Sequence, residues 1–303
     1  MRASAGLAIL LTGVSVSGVA CGRSGQDSSG ARPAIAAAAS AEMLDSAPRR
    51  WPNEPAGFVP FNDQSWDRLK RTREGRLGRA FERAEAILFS RSEQESPWGY
   101  LRRASSKDDD TVFDSTAPFS PPHVLRIRFT TDMKPDHEPS VHWLGLSKPT
   151  EIYAGWWIKL SANWKGSSTC CGKMTFLFPD ENGAGIAYSN LAGVDGFRYV
   201  NVATTWPSTG YKFWQPNVTR TRVSDGEWYR IEWHVKWESR AGANDGIIRW
   251  WVNGELNGDY HDVPFPPAKG FVEFQHAPTL HRPPPEQQYM YIDHTYLSTP
   301  STR

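Results

Sequence analysis

A small set of side chains in this 303-residue sequence could move protons or meet an acidic sugar. Tyr211, His234 and His276 are of the types that take a proton from carbon and return one to a leaving oxygen. Lys173, Arg198, Lys212, Gln215 and Gln275 could bind a sugar carboxylate, and Trp214 could stack on the apolar face of a pyranose. Glu232 stands two residues before His234 and could set the imidazole's protonation. Together these are the parts of a β-elimination on a uronate polymer: some groups neutralise the carboxylate while another removes the C5 proton. His142 beside Trp143 could add to a stacking site. A plainer reading stands beside this one. Arg230, Glu232, His234 and Lys236 could be charge pairs on a solvated sheet face, and most of the 14 Trp could simply fill a core.

Such residues need strands to hold them. From Tyr229 to Trp237 apolar and polar residues alternate without a slip, the period of a half-buried strand. Asn244-Asp245-Gly246 is a turn signal, Ile247 to Val252 a second strand, and Asn253-Gly254 another tight turn. Further strands are expected at 99–102, 111–113, 124–129, 153–160, 173–178 and 196–204, with a last one before Ser298. Residues 132–139 read as a polar loop, 183–196 as a long loop, and Pro283-Pro284-Pro285 as a rigid one. Residues 67–95 break the pattern: charge dominates, and Leu69, Leu77, Phe81, Ile87 and Leu88 form a partial helical stripe. One or two short helices are expected there. The interleaved Glu makes that stretch a solvated face rather than a basic site. Elsewhere the chain predicts an all-β, two-sheet antiparallel sandwich.

The Trp-led strand, the hairpin ending Val252-Asn253-Gly254 and the terminal Ile292-Asp293-His294 with Leu297-Ser298 resemble the concanavalin A-like jelly roll. That superfamily includes lectins, laminarinase-like glycosidases and alginate- and heparin-type lyases. Asn53-Glu54-Pro55-Ala56-Gly57-Phe58 and the segment Thr116 to Pro122 are similar to secreted bacterial members of the group. The resemblance covers residues 51–300 and implies one jelly-roll domain there. It also implies a structural Ca²⁺ held by Asp293 and loop carbonyls, since calcium takes hard oxygen ligands. Alginate lyases of this fold carry a Gln-x-His strand and a Tyr- and Lys-containing segment. Here Gln275 and His276 are adjacent, so they point to opposite faces, and Tyr211 to Gln215 matches the second segment loosely. The E-x-D-x-x-E motif of the glycosidases is absent, and Glu232 and Glu238 are not spaced to place two carboxylates roughly 5–5.5 Å apart on one face. If the chain is an enzyme, a lyase is favoured over a hydrolase.

Charge is balanced, 34 basic against 33 acidic residues, which argues against nucleic acid as a partner. Met1 and Arg2, the apolar run 5–16 and the small residues before Cys21 read as a secretory signal, similar to a lipoprotein signal with Cys21 lipidated. Residues 22–50 read as a flexible tether. The expected location is therefore extracytoplasmic, with membrane contact only through a lipid on Cys21, and the domain is expected as a monomer. Cys170 and Cys171 could close a vicinal disulfide or stay free; no ligand spacing for a metal accompanies them. Three functions remain open. A polysaccharide-binding module acting through the concave sheet predicts a row of exposed Trp. A uronate lyase predicts a basic, Tyr- or His-containing groove. A surface scaffold predicts no convergent polar groups.

Overall fold

The structure is a computed structural model; it describes residues 51–64, 102–103, 108–118, 123–167, 172–179, 185–194, 197–206, 210–240, 242–265 and 270–301. All belong to the unit Ser46–Arg303. The expected signal sequence, the tether, the bulk of the helical insertion and the Cys170–Cys171 pair lie outside the described residues.

The described chain forms strands β1 (Phe58–Gln64), β2 (Arg102–Arg103), β3 (Asp109–Phe113), β4 (His123–Phe129), β5 (His142–Gly145), β6 (Glu151–Leu160), β7 (Gly172–Phe178), β8 (Ile186–Val194), β9 (Phe197–Trp206), β10 (Gly210–Trp214), β11 (Trp228–Lys236), β12 (Gly246–Val252), β13 (Glu255–Val263), β14 (Glu273–Leu280) and β15 (Gln288–Pro300). An eight-stranded sheet runs β13-β12-β11-β6-β15-β4-β3, with β1 also paired to β15. A seven-stranded sheet runs β10-β9-β8-β7-β14-β5-β2. Every pairing between strands is antiparallel. The two-sheet sandwich expected from the sequence is thus the observed fold, and among the described residues no helix occurs. Nor is any described helix long and apolar enough to cross a membrane.

The core lies between the inner faces. Tyr229, Ile231, Trp233 and Val235 of β11 enter it, as do Ile248, Trp250 and Val252 of β12. From the facing sheet come Leu177, Leu191, Val200, Val202, Trp206 and Phe274. The predicted alternation in β11 is real, but its polar face is not solvated. Glu232 is wholly buried and His234 is 5% exposed. The segment from Trp51 to Phe58 lies across them like a strap: Trp51 packs with Tyr153 and Tyr296, and Phe58, Trp157 and Trp251 pack around this group.

The 183–196 region is the clearest departure from expectation: it holds β8, paired with β7 on one side and β9 on the other. Ser189, Asn190, Ala192 and Gly193 suit strands poorly when taken one by one, and flanking strands override that weak preference. Strand β14 hid for another reason. Pro278 cannot donate to a ladder, and the strand absorbs it in a bulge between His276 and Thr279. Asn253 and Gly254 turn with φ of 52° and 86°, as the hairpin signal requires.

Candidate functional site

The outer face of the seven-stranded sheet gathers aromatic and polar side chains in cross-strand rows. In the register, Gln275 stands opposite Phe176, Phe176 opposite Tyr188, Tyr188 opposite Ala203, and Ala203 opposite Phe213. This row is apolar: Phe176, Tyr188 and Ala203 form their own buried cluster, apart from the main core. Phe176 stacks on Tyr188 with centroids 5.4 Å apart. One step along the strands lies a polar row in which Lys173 opposes both Thr279 and Asn190, and Asn190 opposes Asn201. Gln215 continues it, its Oε1 accepting a bond from Asn201 Nδ2 at 3.5 Å and from the Tyr199 hydroxyl at 3.2 Å.

Tyr211 stands on the other side of the apolar row, opposite Thr205. Its hydroxyl shares a short hydrogen bond with that of Tyr188, and its ring meets Phe213 edge-on at 4.6 Å. Tyr211 is 51% exposed, whereas Tyr188 is 2% exposed. The buried phenol therefore holds the exposed one by its reactive atom. The Lys173 ammonium lies 5.7 Å from the centroid of the Tyr188 ring, a cation–π placement. At the far side, Gln275 donates to the Glu273 carboxylate. Burial raises the Glu273 pKa, against the lowering effect of that bond. A tyrosine pair, an ammonium and amides on one face can hold an anionic sugar and transfer its protons.

Four of the residues singled out in the sequence meet here: Lys173, Tyr211, Gln215 and Gln275. The others do not. His276 points from β14 into the core and is wholly buried. Its Nδ1 lies 3.0 Å from Thr175 Oγ1 and its Nε2 2.9 Å from Thr295 Oγ1. Burial first, and then the neighbouring His142, hold its pKa down at about 3. His142 also faces inward, bound to the Asp109 carboxylate at 2.9 Å, so it cannot join Trp143 in a stacking site. His234 and Glu232 sit on the outer face of the other sheet. His234 donates to Glu151 at 2.8 Å. Glu232 accepts from the Asn53 amide N–H at 3.2 Å and side chain at 3.0 Å, from Arg230 at 2.8 Å, and from the Tyr153 hydroxyl. Burial, then the charge and hydrogen bond of Glu232, push the Tyr153 hydroxyl pKa far up. The expected pairing of Glu232 with His234 is therefore replaced by separate partners for each. Tyr211 lies on the outer face of one sheet, His234 on that of the other and His276 in the core between them, so the three do not converge on one substrate.

Trp214 turns inward and donates to Thr204 Oγ1 at 3.0 Å, and Lys212 covers its ring at 3.5 Å. Trp214 is therefore taken up in packing, while Lys212 lies exposed above its ring. Arg198 is 4% exposed; it pairs with Asp225 and donates to the Trp164 carbonyl at 2.8 Å. It ties two loops together rather than facing solvent. Asp293 is wholly buried within β15. Among the described residues no group of three or more His, Cys, Asp or Glu is placed to hold a metal.

Tyr188, Asn190, Asn201 and Phe176 were missed in the sequence. The signal was present in Ile186, Tyr188 and Asn190 at period two, but short polar residues between them read as loop. The described tryptophans are all buried or half-buried, so no row of exposed Trp forms among them.

No family model matches the chain, and no curated protein matches its sequence. Solved structures do match its fold. An alginate lyase from a Chlorella virus aligns with a TM-score of 0.52 at 12% identity, covering 71% of this chain and 97% of that one. An endo-β-1,4-glucuronan lyase from the fungus Trichoderma reesei aligns with a TM-score of 0.49 at 17% identity, covering 66% and 91%. The alginate lyase Aly36B aligns with a TM-score of 0.41 at 14% identity, covering 57% and 80%. What the chain shares with the Chlorella virus enzyme is the fold, a sandwich of two antiparallel β-sheets. At these identities the likeness extends to the fold and no further.

Proposed function

We propose that the outer face of the seven-stranded sheet engages a uronate-containing polysaccharide and cleaves it by β-elimination. One observation carries this reading: the exposed Tyr211 hydroxyl is bonded to the buried Tyr188 hydroxyl, on the face that also carries Lys173. The substrate carboxylate pairs with the Lys173 ammonium, which lowers the cost of charge developing at C5. The Tyr211 oxygen, as phenolate stabilised by the Tyr188 O–H, takes the C5 proton. The C5–H electron pair becomes the C4=C5 double bond as the C4–O4 bond breaks. Tyr211 then passes its proton to O4, which is possible when H5 and O4 share one face of the ring. A glycosidase would need a carboxylate pair instead, and this face offers Glu273 with Gln275. A non-catalytic module that bound sugar by a row of exposed Trp finds no such row among the described residues. We also propose that the leader and Cys21 carry the protein outside the cytoplasm, where such polymers occur.

The test is ultraviolet absorbance of unsaturated product from purified protein with a panel of uronate polymers. Tyr211→Phe removes one oxygen and should reduce the rate by roughly 10²- to 10⁴-fold, the usual share of a general base. A flat trace with every polymer, together with retardation in a polysaccharide gel, would sink the lyase reading and leave a binding module.

A further inference from the structure

Asn190 sits beside this site and is unlike every other polar residue on the face. It is wholly buried, and neither the nitrogen nor the oxygen of its amide has a hydrogen-bond partner. Asn201, directly opposite on β9 and 2% exposed, has an unpartnered Oδ1. Its Nδ2 keeps only the 3.5 Å bond to Gln215, at the weak end of hydrogen-bond distances. Buried amides left open in this way are costly, and a stable fold that retains them calls for an explanation. Register supplies one. The pair lies between Lys173 on one side and Gln215 on the other, one step along the strand from Tyr188.

We infer that Asn190 and Asn201 form a specificity element that reads free hydroxyl groups of the sugar unit bound at this face. Charge assigns the carboxylate to Lys173, which leaves the amides for neutral groups. Their open ends are both donors and acceptors, and a hydroxyl is donor and acceptor at once. A carboxylate would satisfy the donor end of Asn190 and confront both open carbonyl oxygens. A vicinal pair of hydroxyls can satisfy all of them. Access requires Gln215 to release Asn201, and the length of that bond makes it the contact that yields. The ligand then takes the place of Gln215, and esterified hydroxyls are refused because they neither donate nor fit. This assignment rests on the same face being the sugar site, but not on its being catalytic.

The experiment measures retardation of wild type, Asn190→Leu and Asn201→Leu in gels containing one uronate polymer, unmodified or chemically O-acetylated, with Tm measured for each protein. Leucine is close to asparagine in size and removes an open amide, so both variants should hold or raise their Tm. Retardation by the unmodified polymer should weaken at least about tenfold in each, in line with leaving hydrogen-bonding partners unmatched. Acetylation should weaken wild type by a similar factor and the variants by less than about twofold, since the group it blocks is no longer read. A fall in Tm of several degrees would make the pair a structural ladder and overturn the inference. So would additive losses, or variants that bind like wild type. If wild type is retarded as described but yields no unsaturated product, the amide assignment stands and the lyase reading falls. If wild type is not retarded by any uronate polymer, both fall.

Discussion

Replacing Gly155 by alanine should unseat the strap that covers the eight-stranded sheet. A Cβ at this position would meet three atoms of the Trp51 ring at 2.6, 2.7 and 2.9 Å, well inside an optimal carbon–carbon separation of roughly 3.5–4.0 Å. The indole has no room to retreat while seated: it is 3% exposed, stacks on Tyr296 at 5.8 Å and lies 6.2 Å from His294. Two residues on, Asn53 gives two bonds to the buried Glu232 carboxylate. Lifting the strap therefore forfeits the burial of a tryptophan, about 3–5 kcal/mol by the scale of Trp→Ala changes. It also removes donors from a charge in the interior, about 1.5–3 kcal/mol for each such bond. Partial retreat of the strap spares some of this, so Gly155→Ala should cost about 3–5 kcal/mol. That is a fall in Tm on the order of 10 °C for a domain of this size. Trp51→Ala should cost a similar amount. In that background Gly155→Ala should cost almost nothing, because the new methyl enters the space the ring has left. The coupling energy is then about 3 kcal/mol, read from urea midpoints followed by tryptophan fluorescence. Additive losses, or a single Gly155→Ala variant within about 1 kcal/mol of wild type, would refute the account.

Acid should weaken the fold through His276. Its pKa is about 3 in the folded chain against an ordinary 6.5, so the unfolded chain binds the proton first as pH falls. The stability it permits is complete above pH 6.5 and is lost progressively down to about pH 3, at up to about 1.36 kcal/mol per pH unit. His276→Gln should make Tm less steep between pH 6.5 and 5, and equal slopes for the two proteins would count against this. Arg198→Ala should destabilise by about 2–4 kcal/mol, since it strands a carboxylate and a buried carbonyl. Product formed per folded molecule should not change. Arg198→Lys should recover part of the stability, because an ammonium lacks the guanidinium fork. Loss of turnover with stability intact would instead place Arg198 in the site.

The strand pattern was legible where one face is large and apolar. Tyr229, Ile231, Trp233 and Val235 all go to the core as their period of two demands, and Val124 to Phe129 form β4 as expected. The same pattern cannot say what covers the other face. Arg230, Glu232, His234 and Lys236 look like the polar lining of an open groove, yet Asn53, 179 residues away in sequence, bonds Glu232 and closes that face. A contact at that separation leaves no trace in local periodicity.

The candidate site had the opposite problem. Tyr211, Gln215, Lys173 and Gln275 were visible as residue types, but they come from three strands and the residue that follows β10, and only the register brings them to one face. The strand that joins them, β8, was read as a loop because its small and polar residues give a weak strand signal. Asn190 on β8 and Asn201 on β9 hold amide atoms open at a cost in stability, and a sequence shaped by packing alone would place apolar side chains there. On the proposed reading of this face, β8 is where function and stability pull apart, and the local strand signal is weak there for that reason.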